Sequence, residues 1–285
     1  MVKTASKRAV AALGLALAAL DAAAWGSDGH AIIAEIAQRR LGPEARARVE
    51  ALLGAGHSLA SEGNWADDVR PTRPETFNWH FVDIPLGDDA YDAARHCAPT
   101  PKGDCIVAEL ERLRAQLRCG TTAARAEALR FAVHFVGDVH QPLHTVGEEQ
   151  GGNRVNVDVE LHGLRCVRCT PKRARENIHG VWDTTLIANT AWNWGAYVSR
   201  LEGGWLASDE ARAAGAGTPR DWAVETHRVA RAVWALTPAD RLVNEDYYSK
   251  ALPTLDRQLG RAGVRLARFL DDAFSSSECR VPGTP

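Results

Sequence analysis

The sequence predicts an all-α fold: a single, mainly helical domain with one small β-hairpin. Three observations carry this. Apolar residues return at helical spacing in five segments, one stretch alternates apolar and polar residues as a strand does, and no Pro-, Gly- or Ser-rich linker or internal repeat divides the chain.

The elements follow in order. His30 to Leu41 has apolar residues at helical spacing and ends at Gly42-Pro43. Asp104 to Leu117 places Ile106, Val107, Leu110, Leu113 and Leu117 on one stripe, with Asp104 as a candidate N-cap. Ala123 to Val139 is the central helix, bent or ended by Pro142. Trp222 to Leu236 and the long Glu245 to Phe274 complete the set. Between them, Arg154 to Val167 alternates Val155, Val157, Val159 and Leu161 with polar residues. With a turn at His162-Gly163, it reads as a short hairpin following Gly151-Gly152-Asn153.

Residues 1–24 read as a secretory signal peptide. Lys3, Lys7 and Arg8 are its basic region, Ala9 to Leu20 an apolar run too short to span a bilayer, and Ala22-Ala23-Ala24 a small-residue cleavage site. The expected mature domain is 25–285, starting at Trp25. No later segment is apolar for long enough to be a membrane helix, so a secreted or periplasmic protein without a membrane anchor is expected. No obligate protein partner is evident. The chain carries 34 basic and 36 acidic residues. Losing three basic and one acidic residue with the signal leaves a net charge of −4, which argues against a broad electropositive surface for nucleic acid. It does not exclude a local site in which bound metals supply positive charge. Six cysteines in an exported chain suggest disulfides. Cys97 and Cys105 bracket a short loop, Cys166 and Cys169 form a CxxC, and Cys119 and Cys279 are left, with the connectivity open.

The chemistry centres on Phe131 to His144, an apolar stretch that holds His134, Asp138, His140 and His144. His134 and Asp138 are four residues apart and share one helix face. Burying such groups is costly unless something pairs them, and a divalent metal suits imidazole and carboxylate together. Four other places supply ligand-type residues: Trp25 to His30, Asn64 to Arg70 as a polar turn or short helix, Trp79 to Asp83 as a short extended segment, and Ile178 to Asp183. The last repeats the His/Asp spacing of four. His30, Asp67, His80, His134, Asp138, His144, His179 and Asp183 make eight candidate ligands, enough for two or three ions where one structural zinc needs about four. Metal ions roughly 3.5–4 Å apart commonly act on phosphate esters.

The motifs WGSDGH (25–30), NWADDVR (64–70), WHFVD (79–83), HFVGDVHQPLH (134–144), GGN (151–153) and HGVWD (179–183) resemble, in order and spacing, those of the S1/P1 family of zinc-dependent, single-strand-preferring nucleases. The resemblance implies a phospholipase C/P1 nuclease-like fold and three zinc ions. Asp67, His80 and His134 would hold one, with Asp138 bridging to a second. The α-amino nitrogen and carbonyl oxygen of Trp25, with His30 and Asp138, would hold that second ion, and His144, His179 and Asp183 the third. Asp67 and Arg70 would act in catalysis, Arg70 by steadying the phosphate. Phe81 would stack on a base while Asp83 and Asn153 bond its edge. The implied substrates are single-stranded RNA and DNA, cut to 5′-phosphate ends, and 3′-nucleotides. A ring that stacks on any base needs an unpaired one, which suits single strands. Two other readings stand beside this: a zinc-dependent phospholipase C, and an exported zinc-binding protein without catalysis.

Other residues have plainer expectations. His140 lies two residues from Asp138 and so leaves the ligand face, which suits hydrogen bonding to the site better than ligation. His57, His96, His162 and His227 read as surface or ordinary polar residues. Asp68 reads as a solvated or supporting acid, and most tryptophans as core anchors, with Trp65, Trp79 and Trp182 walling the site. Cys166-Cys169 reads as a disulfide in an enlarged hairpin. The cations Lys172, Arg173 and Arg175 beside it form either a solvated loop or a contact to a nucleic-acid backbone.

Overall fold

The computed structural model describes residues 25–275. The expected signal peptide (1–24) and Cys279 lie outside them. The architecture is mainly helical with a small sheet, as expected. Its larger elements are α1 (Ser27–Arg40), α2 (Pro43–Leu53), α3 (Ile106–Cys119), α4 (Thr122–Asp138), α5 (Trp194–Glu202), α6 (Pro219–Leu236) and α7 (Glu245–Phe274).

Local chemistry explains where the helices start. Thr121 caps α4, its hydroxyl accepting from the Ala124 amide at 3.3 Å. Thr218 and Asp221 form a reciprocal capping box on α6, with Pro219 in the first turn. The Asn244 side chain takes the amides of Asp246 and Tyr247, each at 3.1 Å, to start α7 where the sequence places it. Asp104 is not the cap of α3. Cys105 holds that position, and Asp104 instead accepts from the Cys105 amide at 2.8 Å while pairing with Arg112 at 2.6 Å. Helix α1 begins three residues earlier than the apolar spacing suggests, because the Gly26 carbonyl accepts from the amides of both Gly29 and His30.

The core runs between α1, α4 and α7, where Ile32, Ile33, Ile36, Phe135, Leu266 and Phe269 are buried. Helix α4 is buried along its whole second half, from Phe131 to Asp138. The motif of imidazoles and carboxylate therefore sits in the interior.

The hairpin expected over 154–167 is corrected. Strand β1 (Asn156–Val159) does form, but its antiparallel partner is β2 (Ala174–Asn177), beyond the cysteine pair, and β3 (Leu242–Val243) adds in parallel on the other side. His162-Gly163 does not turn the chain back into a strand because both amides donate to the Glu245 carboxylate, at 2.6 and 3.1 Å. That contact ties the loop to the start of α7. Cys166–Cys169 and Cys97–Cys105 are both disulfides, as the spacing suggests. Trp79–Asp83 is also corrected in part. Pro74–His80 is a 3₁₀ helix, and the extended backbone begins only at Phe81. Among the described residues no helix is long and apolar enough to cross a membrane.

Candidate metal centre and adjoining pocket

Helix α4 delivers His134 and Asp138 side by side, with His134 Nε2 3.2 Å from Asp138 Oδ2 and neither side chain reaching solvent. Around them gather residues distant in sequence. His80, the last residue of its 3₁₀ helix, places Nδ1 3.1 Å from Asp138 Oδ2 and 3.5 Å from Asp67 Oδ1. Asp67 Oδ1 lies 3.6 Å from His134 Nε2. From α1, His30 turns Nε2 to the other oxygen of Asp138, Oδ1, at 3.3 Å. The Asp138 carboxylate thus divides between two sets of imidazoles. Gly137 makes room for this, since a Cβ there would stand 2.9 Å from His30 Nδ1.

A third set lies beyond Pro142. His179 and Asp183 face each other at 3.3 Å across a turn of helix that widens into a π-type turn at Val181–Thr185, and the His144 ring lies 4.9 Å from that of His179. Three groups of side chains could hold metal: His30 with Asp67 and His134; His80 with His134 and Asp138; His144 with His179 and Asp183. All eight ligand side chains expected from the sequence are included. Trp25 is buried beside them. Its indole N–H donates to the Gly137 carbonyl at 2.9 Å, and the Gly26 amide donates to the Asp183 carbonyl at 2.9 Å.

The rings are held from behind. The Nδ1–H groups of His134, His144 and His179 donate to the carbonyls of Gly63, His80 and Gly151, each at 2.7 Å, which fixes the tautomer and aims Nε2 inward. Nine buried polar atoms of this cluster have no hydrogen-bond partner: both ring nitrogens of His30, both oxygens of Asp67, Nε2 of His80, His134 and His144, Asp138 Oδ1 and Asp183 Oδ2. Native interiors seldom leave buried polar atoms unpaired. Nitrogen and carboxylate donors gathered in this way fit divalent ions of the zinc type.

Electrostatics agree. Burial lowers His80 to about 4 and His179 to about 3, and lowers His30 and His144, keeping these rings in the neutral form that binds metal. Burial opposes charge on His134 as well, but Asp138 and Asp67 together outweigh it and raise the ring to about 9. Burial likewise works against the Asp138 carboxylate, and His134 with the neighbouring imidazoles overcomes it and holds the group well below the usual carboxylate range.

Two supporting residues emerge. Gln141 is fully buried. Its amide N–H donates to Asp183 Oδ1 at 2.5 Å and its oxygen accepts from the Leu143 amide at 2.5 Å, so Asp183 Oδ2 alone remains to meet an ion. A buried glutamine between His140 and Pro142 is the signal that could have singled it out. His140 is not a ligand, as its position suggests. Its Nδ1–H donates to the Val136 carbonyl at 2.7 Å, and its Nε2 accepts from Arg265 at 3.0 Å.

Beside the third set opens a cavity of about 470 Å³, lined by Arg70, Phe77, Phe81, Asp83, Asn153 and His179 among others. The four residues expected to meet substrate are therefore together. Phe77 joins them. The Arg70 guanidinium lies 4.2 Å from the centre of its ring, and Phe77 packs edge-on to Phe81 at 6.0 Å. Burial and the nearby Glu148 push the Asp83 carboxyl up to about 6.

Other residues have structural partners. His96 bonds Asp88 and the Asp92 amide; His227 bonds the carbonyls of Thr145 and Asp88, and both are buried rather than on the surface. Asp68 accepts from the Asn64 side chain at 2.8 Å. Arg173 pairs with Asp158 and Glu160 of its own sheet, which favours a structural role for that basic loop.

The helical scaffold thus gathers three His/Asp groups that could hold metal beside a pocket with aromatic walls. The family model for S1/P1 nuclease matches residues 25–275, and the chain belongs to that family. It is similar to nuclease P1 of Penicillium citrinum (28% identical over 282 residues, 88% of this chain and 98% of that one). It is also similar to endonuclease 2 of Arabidopsis thaliana (31% over 286 residues, 88% and 90%) and to nuclease S1 of Aspergillus oryzae (26% over 290 residues, 92% and 96%). The protein is accordingly a nuclease, a hydrolase acting on the phosphodiester bonds of nucleic acid. This decides in favour of the nuclease over the phospholipase C reading.

Proposed function

We propose that the chain is an exported, zinc-dependent endonuclease that cuts single-stranded RNA and DNA to 5′-phosphate ends and releases phosphate from 3′-nucleotides. Residues 1–24 are its signal peptide, 25–285 the nuclease domain, and the location is secreted or periplasmic. The observation that carries the reading is the set of nine unpaired buried polar atoms, all on expected ligands, next to the pocket of Arg70 and Phe81.

In this reading three zinc ions are held by Asp67, His80, His134 and Asp138; by Trp25, His30 and Asp138; and by His144, His179 and Asp183. Zinc bound there would supply Lewis acidity, bringing water into its nucleophilic form near neutral pH and stabilising the attacking and leaving oxygens. The chain supplies position and charge. The carboxylates of Asp67 and Asp138 balance the cations. Arg70, its guanidinium 4.0 Å from Asp67, would meet a phosphate oxygen as charge builds in the transition state. Phe81 offers a face to an unpaired base, and Asp83 and Asn153 bond its edge. Water adds to phosphorus, the P–O3′ bond breaks, and the proton leaves with the 3′-oxygen.

Trp25 ties this chemistry to processing. A peptide nitrogen is a poor donor to zinc, whereas a free amine is a good one. Removal of residues 1–24 would therefore complete the site shared by His30 and Asp138.

The test is cleavage of a single-stranded oligonucleotide and its duplex by protein starting at Trp25, before and after EDTA and zinc re-addition. The reading expects 5′-phosphate ends, preference for the single strand, and recovery with zinc. Three bound zinc ions without hydrolysis of any phosphate ester would favour a zinc-storage role instead.

A further inference from the structure

We propose that a second cavity, across the Glu149–Arg154 loop from the pocket of Phe81, binds a phosphate and base of the same single-stranded substrate several nucleotides from the cut. The proposal rests on the nuclease reading above. The cavity has a volume of about 560 Å³ and is lined by Glu149, Arg154, Asn156, Trp234, Pro238 and Arg241 among others.

Its charge is what distinguishes it. Arg154 and Arg241 are exposed and make no ion pair or side-chain hydrogen bond among the described residues. Arg173 and Arg231, by contrast, are paired, the first with Asp158 and Glu160 and the second with Asp89. Two guanidiniums and a half-buried indole lining one cavity match a nucleotide unit. The planar forks suit phosphate oxygens and the indole suits the face of a base. Glu149 is the one acid of the lining, so positive charge predominates.

Position connects this cavity to the cleavage pocket. Gln150, Gly151 and Asn153 line the first cavity, whereas Glu149 and Arg154, at the two ends of the same loop, line the second. A Cβ on Gly152 would lie 2.6 Å from Ile178 Cγ2, 3.6 Å from the Trp234 ring and 3.7 Å from the His179 amide nitrogen, so this glycine lies between the indole and the backbone that carries His179. Among the described residues, three non-glycine residues have positive φ: Glu149 at 49°, Gln150 at 57° and Arg241 at 59°. Each lines one of these two cavities. Such backbone is maintained only where its surroundings enforce it, and it concentrates at functional sites. A strand held at Phe81 can cross this loop and present a further nucleotide to Arg154, Arg241 and Trp234.

The test compares a dinucleotide with a single-stranded 12-mer on wild type, Arg154→Ala/Arg241→Ala and the matching double Lys variant, across a salt series. The proposal expects the Ala variant to raise KM for the 12-mer by roughly tenfold while leaving kcat and all dinucleotide kinetics unchanged. The log–log salt dependence of KM for the 12-mer should become shallower by about 0.7, the value for one lost phosphate contact on a single strand. The Lys variant should recover most of the salt slope. Equal changes on both substrates, or unchanged kinetics on the 12-mer, would overturn the subsite. A wild type that cleaves neither substrate would overturn the nuclease reading, and the proposal with it.

Discussion

His134 and Asp138, one helical turn apart on α4, meet at 3.2 Å through Nε2 and Oδ2, while the other oxygen of Asp138 faces His30 at 3.3 Å. A single carboxylate therefore faces imidazoles on both sides. Asp138→Asn should reduce zinc binding at two of the three sites together and lower kcat by more than about 100-fold, since even supporting residues around a metal cost 10–100-fold. His144→Ala should chiefly empty one site. Metal content by mass spectrometry, read beside turnover, checks both. A full zinc complement in Asp138→Asn would contradict the bridging role.

Gln141 fixes the Asp183 carboxylate by donating to Oδ1 at 2.5 Å. Gln141→Leu should weaken zinc binding at the third site by roughly 10–100-fold. It also leaves a buried carboxylate oxygen and the Leu143 amide unpaired, at a cost of about 1–3 kcal/mol. A chelator titration and a melting curve measure the two effects separately.

Asp83 has a carboxyl pushed up to about 6. Above that value both oxygens accept from a base edge, whereas below it one becomes an O–H donor and the charge is lost, so KM should rise as pH falls through about 6. The pH dependence should flatten in Asp83→Asn. The sign for stability is opposite to that of an ion-paired carboxylate. A group that holds its proton more tightly when folded contributes stability at low pH, and the contribution is lost as pH rises from about 4 to about 6. Unfolding of wild type and Asp83→Asn over that window gives the check.

The Cys97–Cys105 bridge stands at the start of α3, where the Ile106 amide donates to the Phe81 carbonyl at 3.0 Å. Breaking it with Cys97→Ala/Cys105→Ala should cost roughly 2–3 kcal/mol by loop entropy. KM should rise with it, because the backbone that presents Phe81 loses its brace. Denaturant unfolding and steady-state kinetics on the same protein are the measurements.

Protein starting at Trp25 should bind more zinc and turn over faster than protein carrying one extra N-terminal residue. Equal metal content and activity in the two forms would exclude the terminal amine as a ligand.

The ligand set was legible because its chemistry is unusual for an interior. Imidazoles and carboxylates at His134, Asp138, His144, His179 and Asp183 sit among apolar neighbours, and helical spacing pairs them without knowledge of the fold. Residues that act on others were not legible. Gln141, Phe77 and Gly137 are ordinary residue types whose roles depend on contacts with Asp183, Arg70 and His30. The helices were readable to within a few residues because caps and periodicity are local. The strand pairing was not, since the partner of β1 is chosen by Glu245, which captures the His162-Gly163 turn from more than 80 residues away. Trp79–His80 reads as extended from its aromatic residues, yet it belongs to a 3₁₀ helix begun by Pro74.

In the proposed function the three His/Asp groups hold zinc that drives cleavage of single strands. The most direct measurement is zinc stoichiometry and 5′-phosphate end formation on one preparation starting at Trp25, followed through EDTA and graded zinc return. Three zinc ions per chain are expected, with loss and recovery of 5′-phosphate ends in step with them. Full cleavage by protein stripped of metal would contradict this expectation.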